Sequence, residues 1–223
     1  MQLSVFRGGF FMESAEKVLD LSAWPDAPWS LDVVGALLDE SLLHCREVLE
    51  QPRLGMFVSI QGYASEKLGE ENAPIGGKEI GLMTRRRHAA CYAKLGEERH
   101  LELLDRHGGI ELRRRLALEM ENLLMGVDAG LASGEPDVAA NCGMAAAKLY
   151  HMQGPAQQGR DQLERILENP LSLRVRSRVY FDLGRLLEVT GQTAKALEAF
   201  HLALALHRQE GHRRREGIVL GIL

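Results

Sequence analysis

Aromatic side chains account for only 5% of this 223-residue chain, and cysteine for just three positions. Cys45, Cys91 and Cys142 stand roughly 50 residues apart. That spacing suits neither a disulfide framework nor a tetrahedral zinc site, and a reduced cytoplasm is the simplest setting. Apolar runs extend over only a few residues, so no segment is expected to cross a bilayer. The opening MQLSVFRGGFFMESAEK has no basic leader followed by an apolar stretch, so no secretion signal is expected. Catalytic motifs are missing too: there is no H-E-x-x-H, G-x-S-x-G, G-x-G-x-x-G or C-x-x-C. A nucleophile needs a base and an orienting group, and the eight histidines are scattered. The neighbours His44-Cys45 read as part of a hairpin strand. No enzyme activity, cofactor or metal is expected.

What is present is a chain with 45% apolar and 26% charged residues and a net charge of −4, the composition of a soluble globular protein. Abundant Leu, Ala, Glu and Arg predict a mainly helical fold. The charge is uneven. Residues 1–136 hold 15 Lys+Arg against 22 Asp+Glu, while residues 137–223 hold 12 against 9. Over residues 8–45, Lys17 alone faces seven acids. Phosphate backbones are bound by Lys and Arg that displace counterions, so this segment would repel nucleic acid.

Along residues 1–68 the pattern predicts a small mixed unit. Leu3, Val5 and Phe6 suggest the tail of a helix stopped at Gly8-Gly9, and Glu13–Leu21 carries apolar residues at helical spacing. Ser30 is placed to cap a helix over Leu31–Ser41, with Val33, Val34, Leu37 and Leu38 as its buried stripe. Leu42–Val48 and Leu54–Ile60 read as a β-hairpin with an irregular loop, and Gln61–Leu68 as helix. Three helices and a hairpin in this order predict a winged-helix domain. Residues 69–77, GEENAPIGG, read as a linker. Helices are predicted over Lys78–Asp105, up to the break His107-Gly108-Gly109, and over Glu111–Ala132, ended by Ser133-Gly134-Glu135-Pro136.

The runs LSVFRGGFFMESAEKVLDL (3–21), LDVVGALLDESLL (31–43) and RLGMFVSIQGYASEKL (53–68) resemble the winged-helix segment of the STAND-class signal-transduction ATPases. RRRHAACYAKLGEE (85–98) and LALEMENLLMGVDAGLASGE (116–135) resemble that family's helical linker. The resemblance implies a winged helix (1–68), a helical arm (78–136) and tetratricopeptide-type repeats (137–223). The phosphate-binding loop is missing, because the nearest text, Asn72–Glu79, has Asn for the first Gly and Glu79 after Gly77-Lys78. The ATPase module is therefore absent from this chain. Gly62 also stands where the family usually has a charged residue.

Internal periodicity carries the C-terminal reading. Tyr180, Leu183, Gly184, Ala196, Phe200 and Ala203 match the tetratricopeptide pattern, and Ala147, Gly159, Leu163 and Ile166 form a weaker earlier copy. Gly154 corresponds to Gly191, and a third copy begins at Gly217-Ile218-Val219-Leu220. The copies stand about 37 to 40 residues apart, against the usual ~34. Small residues at 147, 184 and 203 would let helices approach, with Phe200 and Tyr180 filling the gaps between repeats. The apolar end, Ile218, Val219, Leu220, Ile222 and Leu223, does not read as a polar cap. It predicts further repeats or contact with another chain.

In tetratricopeptide proteins the first helix of each repeat lines a concave groove. By that resemblance the groove positions are Asn141, Met144, Lys148 and His151, then Arg178, Phe181, Arg185 and Glu188. This basic surface would take a protein or an acidic peptide by charge-assisted bonds, with Met144 and Phe181 gripping side chains. The triplets Arg85–Arg87, Arg113–Arg115 and Arg213–Arg215 read as solvated faces, since successive helical residues point about 100° apart. Nearby acids, Glu111, Glu119, Glu210 and Glu216, offer ion-pair partners. The expectation is a non-catalytic, cytoplasmic regulatory and protein-interaction module, the sensor end of a STAND-type ATPase. A transcriptional regulator binding DNA through its winged helix is the alternative. Its recognition helix would be Leu31–Ser41, which lacks Arg, Lys, Asn and Gln and carries three acids.

Overall fold

The computed structural model describes residues 1–22, 24, 26–70 and 77–223 of the chain. Twelve α-helices and one two-stranded sheet occur among the described residues, so the fold is mainly helical. The chain opens with a 3-10 turn, Gln2–Val5, where the tail of a helix was expected. Gly8 and Gly9 follow at φ 68° and 94°. A Cβ on Gly9 would lie 2.8 Å from the Leu54 carbonyl oxygen, so only glycine fits this crossing. Helix α1 (Met12–Val18) buries Ala15 and Val18 and stops short of the predicted Leu21. Helix α2 (Ser30–Asp39) takes Ser30 into its first turn, with Trp29 at the N-cap and no side-chain cap. Of its expected stripe only Val34 is fully buried, and Val33, Leu37 and Leu38 are half-buried.

The predicted hairpin forms, but in a different register. Strands β1 (His44–Val48) and β2 (Gln51–Gly55) pair antiparallel, with Val48 opposite Gln51. Leu49 and Glu50 make the turn at φ 51° and 58°. Two left-handed residues give the turn whose twist matches the strands, and neither is the Gly or Asn that signals it. The second strand therefore starts before Pro52. That proline faces Glu47 next to the closing pair, a non-hydrogen-bonded position where its missing N–H costs the ladder nothing. Phe10 adds a further bridge, exchanging backbone bonds with Leu54 at 2.9 and 2.8 Å. The expected strand residues Val58–Ile60 belong to helix α3 (Val58–Gly69). Residues 71–76 of the expected linker lie outside the described residues.

The remaining helices are α4 (Lys78–Ala93), α5 (Glu98–Leu104), α6 (Gly109–Leu118), α7 (Met120–Ala132), α8 (Pro136–Gln153), α9 (Ala156–Leu167), α10 (Leu173–Val189), α11 (Thr193–Gln209) and α12 (Arg213–Leu220). The helix predicted over Lys78–Asp105 breaks in a 3-10 turn, Lys94–Gly96. There the backbone crosses α8 so closely that a Cβ on Gly96 would fall on the Asn141 carbonyl. The helix predicted over Glu111–Ala132 breaks at Glu119, whose side chain turns inward.

Helix α4 packs on α7 across the α5–α6 excursion, α8 on both and on α9, α10 on α8, α9 and α11, and α12 on α11. The pairs α4/α7, α8/α9 and α10/α11 thus lie in succession. Ala147, Gly184 and Ala203 are buried where close approach was expected. A Cβ on Gly184 would sit 2.6 Å from the Phe200 ring, so this contact tolerates nothing larger. Buried apolar residues form one cluster from Leu3 to Val219. Each large side chain in it contributes roughly 1.5–3 kcal/mol.

The scarce aromatics gather where the N-terminal residues meet α4. The rings of Phe6 and Phe10 stack at 4.3 Å, His88 lies 5.2 Å from Phe6, and Tyr92 lies 4.7 Å from His88. Beside them is a buried polar network. Arg53 Nη1 meets Glu119 at 2.5 Å, and its Nη2 donates to the Gly9 and Leu118 carbonyls at 2.9 and 2.8 Å. Asn122 Nδ2 donates to the second Glu119 oxygen at 2.7 Å and to the Gly9 carbonyl at 2.9 Å. This network ties β2 and the Gly8-Gly9 bend to the start of α7.

Candidate functional site

The face expected to be an open groove lies on α8 and α10; the chain itself covers it, and α12 adds cations at its edge. The 3-10 turn and α5, residues 94–104, rest on this face. The Arg178 guanidinium donates to the Gly96 carbonyl at 2.5 Å and to Asn141 Oδ1 at 3.1 Å. Glu98 sits between Arg215, at 2.7 Å, and Arg174, at 3.6 Å. Glu102 meets Arg214 at 2.7 Å, and Asp105, just past α5, meets Lys148 at 2.7 Å. Five cations from three helices therefore converge on one short acidic segment.

The expected groove residues divide into two groups. Asn141, Lys148 and Arg178 come together on the covering segment. His151, half-buried, lies within the field of Arg185, Lys148 and Glu188. Burial, then the Arg185 and Lys148 charges, hold its pKa below the ordinary 6.5. Arg185 is half-buried and Glu188 is exposed at the end of the row. Met144 and Phe181 are not open to a partner. Met144 is wholly buried in the core, and the Phe181 ring packs 5.9 Å from Phe200. The reason is that α8 has neighbours on both flanks and the 3-10 turn on its remaining face.

Electrostatics at this face come from crowded like charges. Burial alone would raise the Glu98 pKa, but the hydrogen bond and charge of Arg215, with Arg178 and His212 beyond, hold it below the ordinary 4.5. Asp182 lies among Arg178, Arg215, Arg185 and Lys148; burial raises its pKa against their pull. Burial likewise lowers the Arg178 pKa. Sequence reasoning passed over Arg174, Asp182, Glu98 and Glu102, and read Arg214 and Arg215 as solvated. Their common feature, acids at four- and three-residue spacing opposite a basic face, is visible in sequence only once the two segments are known to touch.

The arginine triplets do not form single pockets: Arg214 and Arg215 pair with Glu102 and Glu98 on the covered face, and the others that find partners find separate ones. Arg86 pairs with Glu135, Arg87 with Asp20 at 3.0 Å, and Arg115 with Glu13 at 3.5 Å, over the Phe11 ring. The neighbouring acids are a correction: of the four expected partners only Glu111 pairs with a triplet arginine, Arg114, at 3.6 Å. Glu119 goes to Arg53 and Glu216 to Arg208, while Glu210 accepts a hydrogen bond from Ser177 Oγ at 3.3 Å.

Elsewhere, Cys45 is exposed on β1 and the His44 ring packs 4.9 Å from Phe57. Among the described residues no group of three or more His, Cys, Asp or Glu could hold a metal, and no helix is long and apolar enough to cross a membrane. At the C-terminal end Val219 is buried, while Ile218, Leu220, Ile222 and Leu223 are exposed. The chain matches no family model, no curated protein and no solved structure.

Proposed function

We propose that the chain is a non-catalytic protein-interaction module whose basic face on α8, α10 and α12 takes an acidic protein segment. The observation that carries this reading is the convergence of Lys148, Arg174, Arg214 and Arg215 on the carboxylates of residues 98–105, with Arg178 donating to the Gly96 carbonyl beside them. A face that already holds one acidic helix has the chemistry to hold another of the same kind. The succession α4/α7, α8/α9, α10/α11 and α12 supports tetratricopeptide-like stacking. The turn glycines Gly154 and Gly191, both left-handed at φ 73° and 75°, stand at the expected corresponding places.

The reading extends to a winged-helix-like unit at 1–68 and, by resemblance, to the sensor end of a STAND-type ATPase. The two-stranded hairpin with its Phe10 bridge supports the first of these. The resident compartment on this reading is the cytoplasm. The acidic α2 speaks against duplex DNA as the partner.

The test is fluorescence anisotropy with labelled Glu-rich and Lys-rich helical peptides. The Glu-rich peptide is expected to bind, and to weaken as salt rises; the Lys-rich one is not. Charge reversal of the exposed Arg174 and Arg214 should abolish the binding, and unchanged binding in that variant would sink the reading.

A further inference from the structure

Helix α5 has seven residues, too few to be stable alone in water, so its helical form depends on what it lies against. Its anchoring combines ion pairs with one buried side chain and the close Gly96 crossing of α8. Leu104 is buried and Leu101 half-buried, but Leu103 is exposed. Arg215 and Glu98 are mostly buried, at 15% each, whereas Arg174 and Arg214 keep about two thirds of their side-chain surface in solvent, at 67% and 65%. Pairs this exposed are individually worth ~0–1 kcal/mol and are screened by salt. Glycines flank the segment on both sides: Gly96 at the α8 crossing and Gly108, left-handed at φ 83°. Glu98, Glu102 and Asp105 stand at i, i+4 and i+7, one face of a helix. The cations opposite them come from three separate helices, in a row that matches this spacing.

We propose that this basic row is a docking site for a partner helix bearing carboxylates at i, i+4 and i+7, and that the chain's own segment 94–105 is its resident occupant, which a partner must displace. The proposal deepens the function proposed above and rests on it. The occupant is specified by charge complementarity and by the spacing of the resident carboxylates. An unstructured acidic tail would lack that spacing.

The experiment uses the full chain and a labelled synthetic peptide of residues 94–107, KLGEERHLELLDRH. Reversing the resident carboxylates (Glu98→Lys with Glu102→Lys) should expel α5 and leave the basic row intact. This variant should bind the peptide about tenfold more tightly than the unaltered chain, the factor expected when about nine molecules in ten are self-occupied. Reversing the row (Arg174→Glu with Arg214→Glu) should also free α5, yet bind no peptide. Both substitutions on the row are at exposed positions, and far-UV circular dichroism checks that each variant is folded.

Amide hydrogen exchange on the unaltered chain gives a second readout. Raising salt from about 0.1 to about 1 M shortens the Debye length from about 10 to about 3 Å. Exchange in residues 98–104 should then accelerate while α8, α10 and α11 stay protected. Salt-independent exchange in α5 would overturn the proposal. Equal peptide affinity in the unaltered and resident-reversed chains would overturn self-occupancy while leaving acidic recognition standing. Failure of the folded, resident-reversed chain to bind either this peptide or a Glu-rich one would overturn both.

Discussion

Replacing Arg53 with Met tests whether the buried ion pair joins the N-terminal residues to the helical body. The Arg53 and Glu119 side chains are 1% and 6% exposed and meet at 2.5 Å. Arg53→Met keeps roughly the same length but removes every donor. Glu119 would then be a buried carboxylate held only by the Asn122 amide at 2.7 Å, and the Leu118 carbonyl would lose its donor at 2.8 Å. Breaking a buried pair from one side costs about 3–5 kcal/mol, a large part of the ~5–15 kcal/mol that typically holds a domain together. Removing both charges (Arg53→Met with Glu119→Leu) leaves no stranded ion. Its cost should fall short of the sum of the single variants by about 2 kcal/mol or more. Urea unfolding followed by far-UV circular dichroism at neutral pH, with the slope compared between variants, measures each loss. A single-variant loss under about 1 kcal/mol, or strict additivity in the double variant, would show that the pair is solvated and does not couple the two regions.

Four further outcomes are expected. Burial, the main cause, with Arg7 adding and Asn122 opposing, lowers the His88 pKa from 6.5 to about 4. Between those values the unfolded chain takes up a proton that the folded one refuses. Stability should therefore fall with falling pH across that window, by up to about 3 kcal/mol, and His88→Gln should flatten the slope in pH-dependent urea titrations. Gly184→Val should cost roughly 1–3 kcal/mol by thermal melting, because its branched side chain meets the Phe200 ring already 2.6 Å from the Cβ position. Thiol labelling should show Cys45 reacting at once and Cys142 only on unfolding, since Cys142 is buried with its pKa raised by desolvation to about 12. A gel shift with duplex DNA at low salt should show no complex, and a shift that disappears with added salt would revive the DNA-binding alternative.

What could be read from the chain follows the range over which each interaction acts. Helical periodicity is local, and most predicted helices formed. Their ends failed where one side chain or carbonyl from far away intervened, as at Gly96 against Asn141 and at Glu119 against Arg53. The hairpin was legible from its apolar runs, but not its register, because Leu49 and Glu50 adopt a left-handed turn without the usual residues. Gly184 and Phe200 were legible because they lie one helical hairpin apart. The covered basic face was not. Glu98 and Arg215 are 117 positions apart, and each, taken alone, is an ordinary charge on an ordinary solvated helix. Composition had already placed the excess acid in the first 136 residues and the excess base in the last 87. Opposite charge so distributed can be met within one chain as readily as between two, and the five cations on α8, α10 and α12 are where this fold meets it.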